Sequence, residues 1–279
     1  MLVRNILKYS SFLPEPIAKK LQNFLLDNVN SVGFYQVDLP NGKPYYFYLD
    51  LKERSDRNMY INNQFEKYNC LFLSKILKEN STFFDIGGYR GYYSILAHHF
   101  MKGTGDIVIF EPDKKNYFYI KETIKKNKIK NIKIENLAIS KTSGKVPFYI
   151  SNSESTHSLG KANDNFFEGK FTQIKKIFVN TISLDEYLTK TSYYPDIIKI
   201  DVEGAELDVL KGMKNNIKKR KPEILLEIHE QKLPSFNYNA DDLYNYFKYL
   251  KLTPYLIKKN KLIEIKDRVN KDQYTIYLK

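Results

Sequence analysis

The run Thr82-Phe83-Phe84-Asp85-Ile86-Gly87-Gly88-Tyr89-Arg90-Gly91 decides how this chain folds. Its first half is a short apolar stretch of strand formers, its second half is a glycine turn, and residues 92–100 follow with a helical pattern. Glycines at such a junction let the backbone turn sharply and approach a ligand. The helix start adds free amides and a partial positive charge. A nucleotide-like ligand is therefore expected at the turn, although glycines alone do not separate a dinucleotide from adenosylmethionine.

Working outward, short apolar runs alternate with longer amphipathic stretches, which is the pattern of βαβ units and a parallel sheet. Strands are expected at residues 82–86, 106–110, 132–137, 197–200 and 223–228, with helices at 92–100 and 114–126. Ser183-Leu184-Asp185-Glu186 reads as a capping box that starts a short helix. After a helix at 241–250, the runs 253–257 and 273–278 suit an antiparallel edge on a mostly parallel sheet. Residues 1–79 read as an N-terminal extension packing on this core: a helix at 16–26, a hairpin whose strands 33–39 and 45–49 flank Pro40-Asn41-Gly42-Lys43, and a helix around 64–77. Residues 80–279 form the ligand-binding α/β domain, and no internal repeat interrupts it.

The chain has 279 residues, 42% of them hydrophobic, enough for a sizeable core. A net charge of +13 invites an acidic partner, but the lysines are spread along helix faces among many Asn, Ile and Tyr residues, so a compositional bias accounts for them and nucleic acid is not expected. The single cysteine, Cys70, excludes an internal disulfide framework and a cysteine-based zinc site, which fits a cytoplasmic location. No apolar stretch is long enough to span a bilayer.

Two carboxylates favour adenosylmethionine at the turn. Asp85, at the strand end, would repel a pyrophosphate but can accept a hydrogen bond from a methionyl ammonium. Glu111 ends the next strand, about 20 residues beyond the turn, where an acid accepts from ribose hydroxyls. Asn136-Leu137-Ala138 ends the third strand, with Leu137 placed to pack on the adenine. Asp201 and Glu203, after the run Asp196-Ile197-Ile198-Lys199-Ile200, point to the crevice at the carboxyl ends of the strands. Acids gathered in one crevice point to a cationic ligand or a metal. Glu227 and His229 lie two apart on one strand face, and the near-neutral pKa of an ordinary histidine makes His229 the best general base. His98 and His99 are adjacent on a helix and read as packing or surface residues. His157 sits in a polar loop within reach of a substrate.

Taken together, these segments resemble the FkbM family of methyltransferases over residues 60–230. The likeness is carried by Phe84-Asp85-Ile86-Gly87-Gly88 with Gly91-Tyr92-Tyr93-Ser94, Phe110-Glu111-Pro112, Leu137-Ala138-Ile139-Ser140, Thr181-Ile182-Ser183-Leu184-Asp185, the run 198–212 and Leu226-Glu227-Ile228-His229. The resemblance implies a class I methyltransferase fold with a seven-stranded, mostly parallel sheet and helices on both faces. It also implies S-adenosylmethionine as donor, S-adenosylhomocysteine as product, and O-methylation of a hydroxyl on a sugar, glycan or other small metabolite. Asp85, Gly87, Gly91, Glu111 and Asp201 would then lie at the cofactor, joined by Ile86, Gly88, Tyr89, Pro112, Asn136, Leu137 and Ala138. The family has a small residue and then Asn after the first glycine, whereas this chain has Gly88-Tyr89-Arg90, so Tyr89 is expected to stack or donate its hydroxyl and Arg90 to bond an acidic substrate.

Methyl transfer depends mainly on alignment, and His229, Glu203 and Asp201 are the residues expected to serve the acceptor hydroxyl. A divalent metal on Asp201, Glu203 and Glu227 is the rival mechanism, although no metal is assigned. An RNA methyltransferase, a nicotinamide dehydrogenase and an inactive binding protein on the same fold stay open as other functions. The N-terminal hairpin and the loop at 152–176 either shape the acceptor pocket or form a homodimer interface.

Overall fold

In a computed structural model of the chain, the described residues are 31–40, 43–62, 66–151, 157–160, 175–259, 261–269 and 271–279, with scattered positions between 9 and 24. Of the expected helix at 16–26, the described positions 16–18, 20, 21 and 24 are helical, whereas its other five residues, the tip of the hairpin turn and most of the loop at 152–176 lie outside the described residues.

Thirteen strands follow one another among these residues: β1 (Val32–Asp38), β2 (Pro44–Asp50), β3 (Thr82–Ile86), β4 (Asp106–Phe110), β5 (Ile132–Glu135), β6 (Ala138–Ile139), β7 (Gly144–Ile150), β8 (Lys175–Ile182), β9 (Ile197–Ile200), β10 (Glu223–His229), β11 (Pro254–Lys258), β12 (Lys261–Glu264) and β13 (Gln273–Leu278). The main sheet runs β12-β11-β13-β10-β9-β3-β4-β5. Pairings from β5 through β10 are parallel, and β13 enters antiparallel between β10 and β11. The expected seven strands are extended by an eighth, the short edge strand β12, whose four residues are all exposed and carry no burial pattern to announce it.

The central strands read as unbroken apolar runs because both faces of the sheet are covered. Phe83, Ile107, Ile109, Ile197 and Leu225 face one core with Tyr92 and Leu96 of the helix Tyr92–Phe100 and with Phe47, Leu49, Met59 and Leu73 of the N-terminal segment. Phe84, Val108, Phe110, Ile198, Ile200, Leu226 and Ile228 face the other, with Leu184, Leu210 and Phe247 from later helices. The extension therefore shares the first core. Its hairpin pairs β1 with β2 as read from the sequence, but the helix Arg54–Asn62 was not foreseen, because only Asp56, Met59 and Tyr60 of its nine residues are buried and no apolar stripe marks it.

Two local readings need correction. The expected strand at 132–137 stops at Glu135, because the Asn136 amide turns to donate to the carbonyls of Glu111 (2.9 Å) and Pro112 (3.1 Å), and Ala138-Ile139 then joins a separate sheet, β6-β8-β7. At the helix Leu184–Lys190, Ser183 caps the Glu186 amide, but the Glu186 carboxylate goes to Lys190 (2.6 Å) and the Ser143 hydroxyl rather than back to the cap.

Candidate active site

Period-two alternation sets the chemistry of the site. Residues 83 and 85, 197, 199 and 201, and 225, 227 and 229 share one face of the sheet, so Asp85, Lys199, Asp201, Glu227 and His229 all emerge toward the N-terminal side at the carboxyl ends of their strands. Asp85 pairs in register with Lys199, which pairs in turn with Leu225.

The turn itself is as tight as its glycines imply. Gly87 has φ +83°, and a Cβ there would lie 1.8 Å from the Asp201 carbonyl oxygen; a Cβ on Gly88 would lie 2.3 Å from Ile109 Cγ2. Gly91, φ +74°, opens the helix by donating its amide to the Gly88 carbonyl (2.7 Å). Tyr89 and Glu203 also adopt left-handed backbone, φ +49° and +56°, an uncommon conformation for residues with side chains. Tyr89 is held there from both ends: its amide donates to Glu111 Oε2 (2.8 Å) and its hydroxyl to Asp56 Oδ1 (2.8 Å).

Two clefts meet at this turn. The first, about 600 Å³, has apolar walls from Ile86, Phe110, Pro112, Ala138, Ile139 and Phe148, with Glu111 among its few polar groups. The second, about 860 Å³, is lined by the carboxylates of Glu66, Asp85, Asp201, Glu203 and Glu227 around Lys199. Gly87, Tyr89, Asp201 and Glu203 line both, so the clefts form one crevice. Leu137 lines neither; it packs against the second core, leaving Ala138 and Ile139 on the wall where Leu137 was expected. Asn136, whose amide nitrogen donates to the loop carbonyls, and Gly91 line neither cleft. His157 lines the first cleft, whereas His98 Nδ1 donates to Asn131 Oδ1 (2.6 Å), away from the site.

The electrostatics divide along the same line. Burial pushes the Glu111 carboxyl up to about 8, although the amides of Tyr89 and Asp113 bond it. Burial also raises Asp85, which accepts from the Ser94 hydroxyl (2.7 Å). Burial disfavours the charge on Lys199, but Asp201, Glu227, Asp85 and Glu66 outweigh it and hold the ammonium above the ordinary lysine range. Lys199 bonds Asp201 Oδ2 at 3.0 Å and lies 4.6 Å from the centre of the Tyr93 ring. Burial would raise Asp201, yet Lys199 and His229 keep it below the usual carboxylate range. Burial, then the neighbouring Asp201 and Glu66, push Glu227 up to about 8.

His229 departs from its expected role. Burial opposes its charge, but Glu203, Glu206 and Asp201 push its pKa up to about 10, so at neutral pH this arrangement holds it as the imidazolium and it carries a proton rather than accepting one. Arg90 departs too. It is 1% exposed, its Nε donates to both oxygens of Asp56 (2.9 and 2.8 Å), its Nη1 to Asn116, and its guanidinium stacks between Tyr89 and Tyr119. The residues that replace the family's Asn thus fasten the glycine turn to the N-terminal helix, and Arg90 is closed to an acidic substrate. The sequence reading did not find Glu66, Ser94 or Gln273. Ser94 alone stood in a quoted motif, without a role; the other two reach the cleft from the extension and from the last strand.

Among the described residues no helix is long and apolar enough to cross a membrane. A family model for the "Methyltransferase FkbM domain" matches residues 85–252. No curated protein matches the sequence. Solved structures with a similar course include methyltransferase FkbM from Methylobacillus flagellatus KT, at 16% identity and a TM-score of 0.48 over 79% of this chain and 52% of that one, so this chain spans about half its length. They also include a SAM-dependent methyltransferase from Aquifex aeolicus (12%, TM-score 0.42, 76% and 88% covered) and a putative methyltransferase from Streptococcus mutans in complex with SAH (12%, TM-score 0.41, 75% and 94% covered).

Proposed function

The chain belongs to the FkbM family of S-adenosylmethionine-dependent methyltransferases, and on that premise we propose that it methylates a hydroxyl of a sugar, glycan or other small metabolite, with the cofactor lying across both clefts. The observation that carries the reading is the division of the crevice: a largely apolar half whose own carboxylate is the buried Glu111, beside a half lined by five carboxylates, of which Asp201 and Glu203 stand at the junction of the two, joined by a turn with no room for a Cβ. An adenosine suits the first and a cationic amino-acid end suits the second. When bound, the cofactor supplies a methyl group on an electron-poor sulfonium.

The chain's own groups would then divide the work. Glu111 accepts from the ribose hydroxyls, with Ile139 and Phe148 against the base. Asp85, oriented by Ser94, accepts from the ammonium; a buried carboxylate with a hydroxyl on one side keeps an oxygen for it. Asp201 and Glu203 stand where the clefts meet and face the acceptor. Glu203, whose carboxyl burial raises above its ordinary range, takes the hydroxyl proton, while Lys232 holds its charge in place. Alignment and exclusion of water supply most of the rate.

The test is a thermal shift with S-adenosylmethionine, S-adenosylhomocysteine and NAD in parallel, followed by transfer of labelled methyl to hydroxyl-bearing sugars. Stabilisation by the first two alone, and label on a sugar oxygen blocked by Glu203→Gln, is the expected result. Stabilisation by NAD alone, or label only on an amine, contradicts it.

A further inference from the structure

We propose that Asp201, Glu227 and His229 hold one divalent cation of the Mn²⁺ type in the wall of the acidic cleft. One donor atom from each lies within 4.8 Å of the others, and His229 Nε2 stands 3.9 Å from both Asp201 Oδ1 and Glu227 Oε1. Metal bonds of about 2.1 Å set neighbouring donors about 3 Å apart, so small side-chain rotations close the set.

Two further features point to a ligand there. Glu227 is 6% exposed and lines the cleft, and although Gln273 bonds its Oε1, its Oε2 has no hydrogen-bond partner among the described residues. With no donor among the described residues facing that oxygen, this buried carboxyl holds a proton beside Asp201, and a divalent cation bound between the two carboxylates takes the place of that proton. In addition, Glu206, fully buried, fixes the imidazole by bonding His229 Nδ1 at 3.0 Å, with the Gly204 amide on the same oxygen at 3.0 Å. That arrangement makes Nδ1 the donor and turns Nε2 toward the carboxylates, so that a metal ion entering the site displaces the Nε2 proton of the imidazolium, as metal binding to histidine does. Lys199 bonds Asp201 through Oδ2, and the other oxygen, Oδ1, is the one 3.9 Å from His229 Nε2. A mixed nitrogen and carboxylate set favours a first-row transition ion over Ca²⁺.

The role of the ion, unlike its presence, rests on the methyl-transfer reading. Bound to the acceptor oxygen, it withdraws charge from the O–H bond. The proton passes to Glu203, the oxygen lone pair forms the new bond to the methyl carbon, and the electrons of the breaking C–S bond stay on sulfur as a neutral thioether.

The experiment is Mn²⁺ binding to chelator-stripped full-length protein, followed by electron paramagnetic resonance, with S-adenosylhomocysteine binding measured on the same sample. One Mn²⁺ per chain is expected, with a nitrogen modulation from the imidazole in the pulsed spectrum. Glu227→Gln should weaken Mn²⁺ at least tenfold, and Glu206→Gln, which contributes no ligand, about tenfold. Wild-type protein that takes up no stoichiometric Mn²⁺, or takes it up without the nitrogen signal, overturns the site even if every variant misfolds. Mn²⁺ bound by protein that ignores S-adenosylhomocysteine upholds the site and removes the cofactor reading instead.

Discussion

The two clefts share four lining residues yet are assembled in different ways. The apolar cleft is lined largely by loops that follow successive strands of the α/β core, from Ile86 through Phe110-Glu111-Pro112 to Ala138-Ile139. The acidic cleft takes Ser55, Met59 and Glu66 from the segment before the sheet and Gln273 from its last strand. Chain-local rules such as a strand followed by a glycine turn, or an acid at the next strand end, describe the first kind of surface. The second kind exists only after distant segments converge, and its charges are set by one another.

The sharpest way to break the contrast is at Gly87, which serves both clefts. Gly87→Ala puts a methyl group on the Asp201 carbonyl in a left-handed backbone, so S-adenosylhomocysteine affinity should fall more than a hundredfold, at both the adenosine and the amino-acid ends. Calorimetric titration with adenosine and with S-adenosylhomocysteine checks it; unchanged binding of either would show that the turn is not the joint.

Next in size is the ion pair that fastens the acidic side. Arg90→Met leaves Asp56 buried, with only Tyr89 and the Asp50 amide for company, and should cost about 3–5 kcal/mol in denaturant unfolding. A loss under about 1 kcal/mol would mean that the extension does not depend on this contact.

On the apolar side, Glu111→Gln should weaken S-adenosylhomocysteine about tenfold, the scale of one hydrogen bond. Its pH signature has a definite sign. The folded carboxyl titrates near 8 against an ordinary 4.5, so the folded chain holds the proton longer, and this group's contribution to stability is lost as pH rises through that window. The variant cannot ionise. Its melting temperature should therefore gain on wild type between those values, and a constant difference would contradict a buried Glu111.

The smallest effect belongs to Ser94→Ala, which removes one hydroxyl from Asp85 and should cost about 1 kcal/mol of stability, with a modest loss of cofactor affinity.

What could be read beforehand follows the same division. The strands Thr82–Ile86, Asp106–Phe110 and Ile197–Ile200 and the helices Tyr92–Phe100 and Lys114–Lys126 lie where periodicity placed them, because apolar runs buried on both faces leave little choice of register. The break after Glu135 depended on a side-chain bond from Asn136 to another loop, which no local pattern encodes. Tyr89 and Arg90 were legible as a departure from the family pattern but not as an anchor, since their partner Asp56 sits more than thirty residues away on a helix without an apolar stripe. The protonation of His229 was hidden for a related reason: Glu203 and Glu206 approach it through a left-handed bend at Glu203 and Gly204.

The most direct test of one crevice holding one cofactor is calorimetric titration of the full chain with S-adenosylhomocysteine, with adenosine and with homocysteine. The account predicts one S-adenosylhomocysteine per chain, bound far more tightly than either fragment, each fragment remaining able to bind in the presence of the other. Absence of S-adenosylhomocysteine binding, or an affinity no better than that of adenosine, would contradict it.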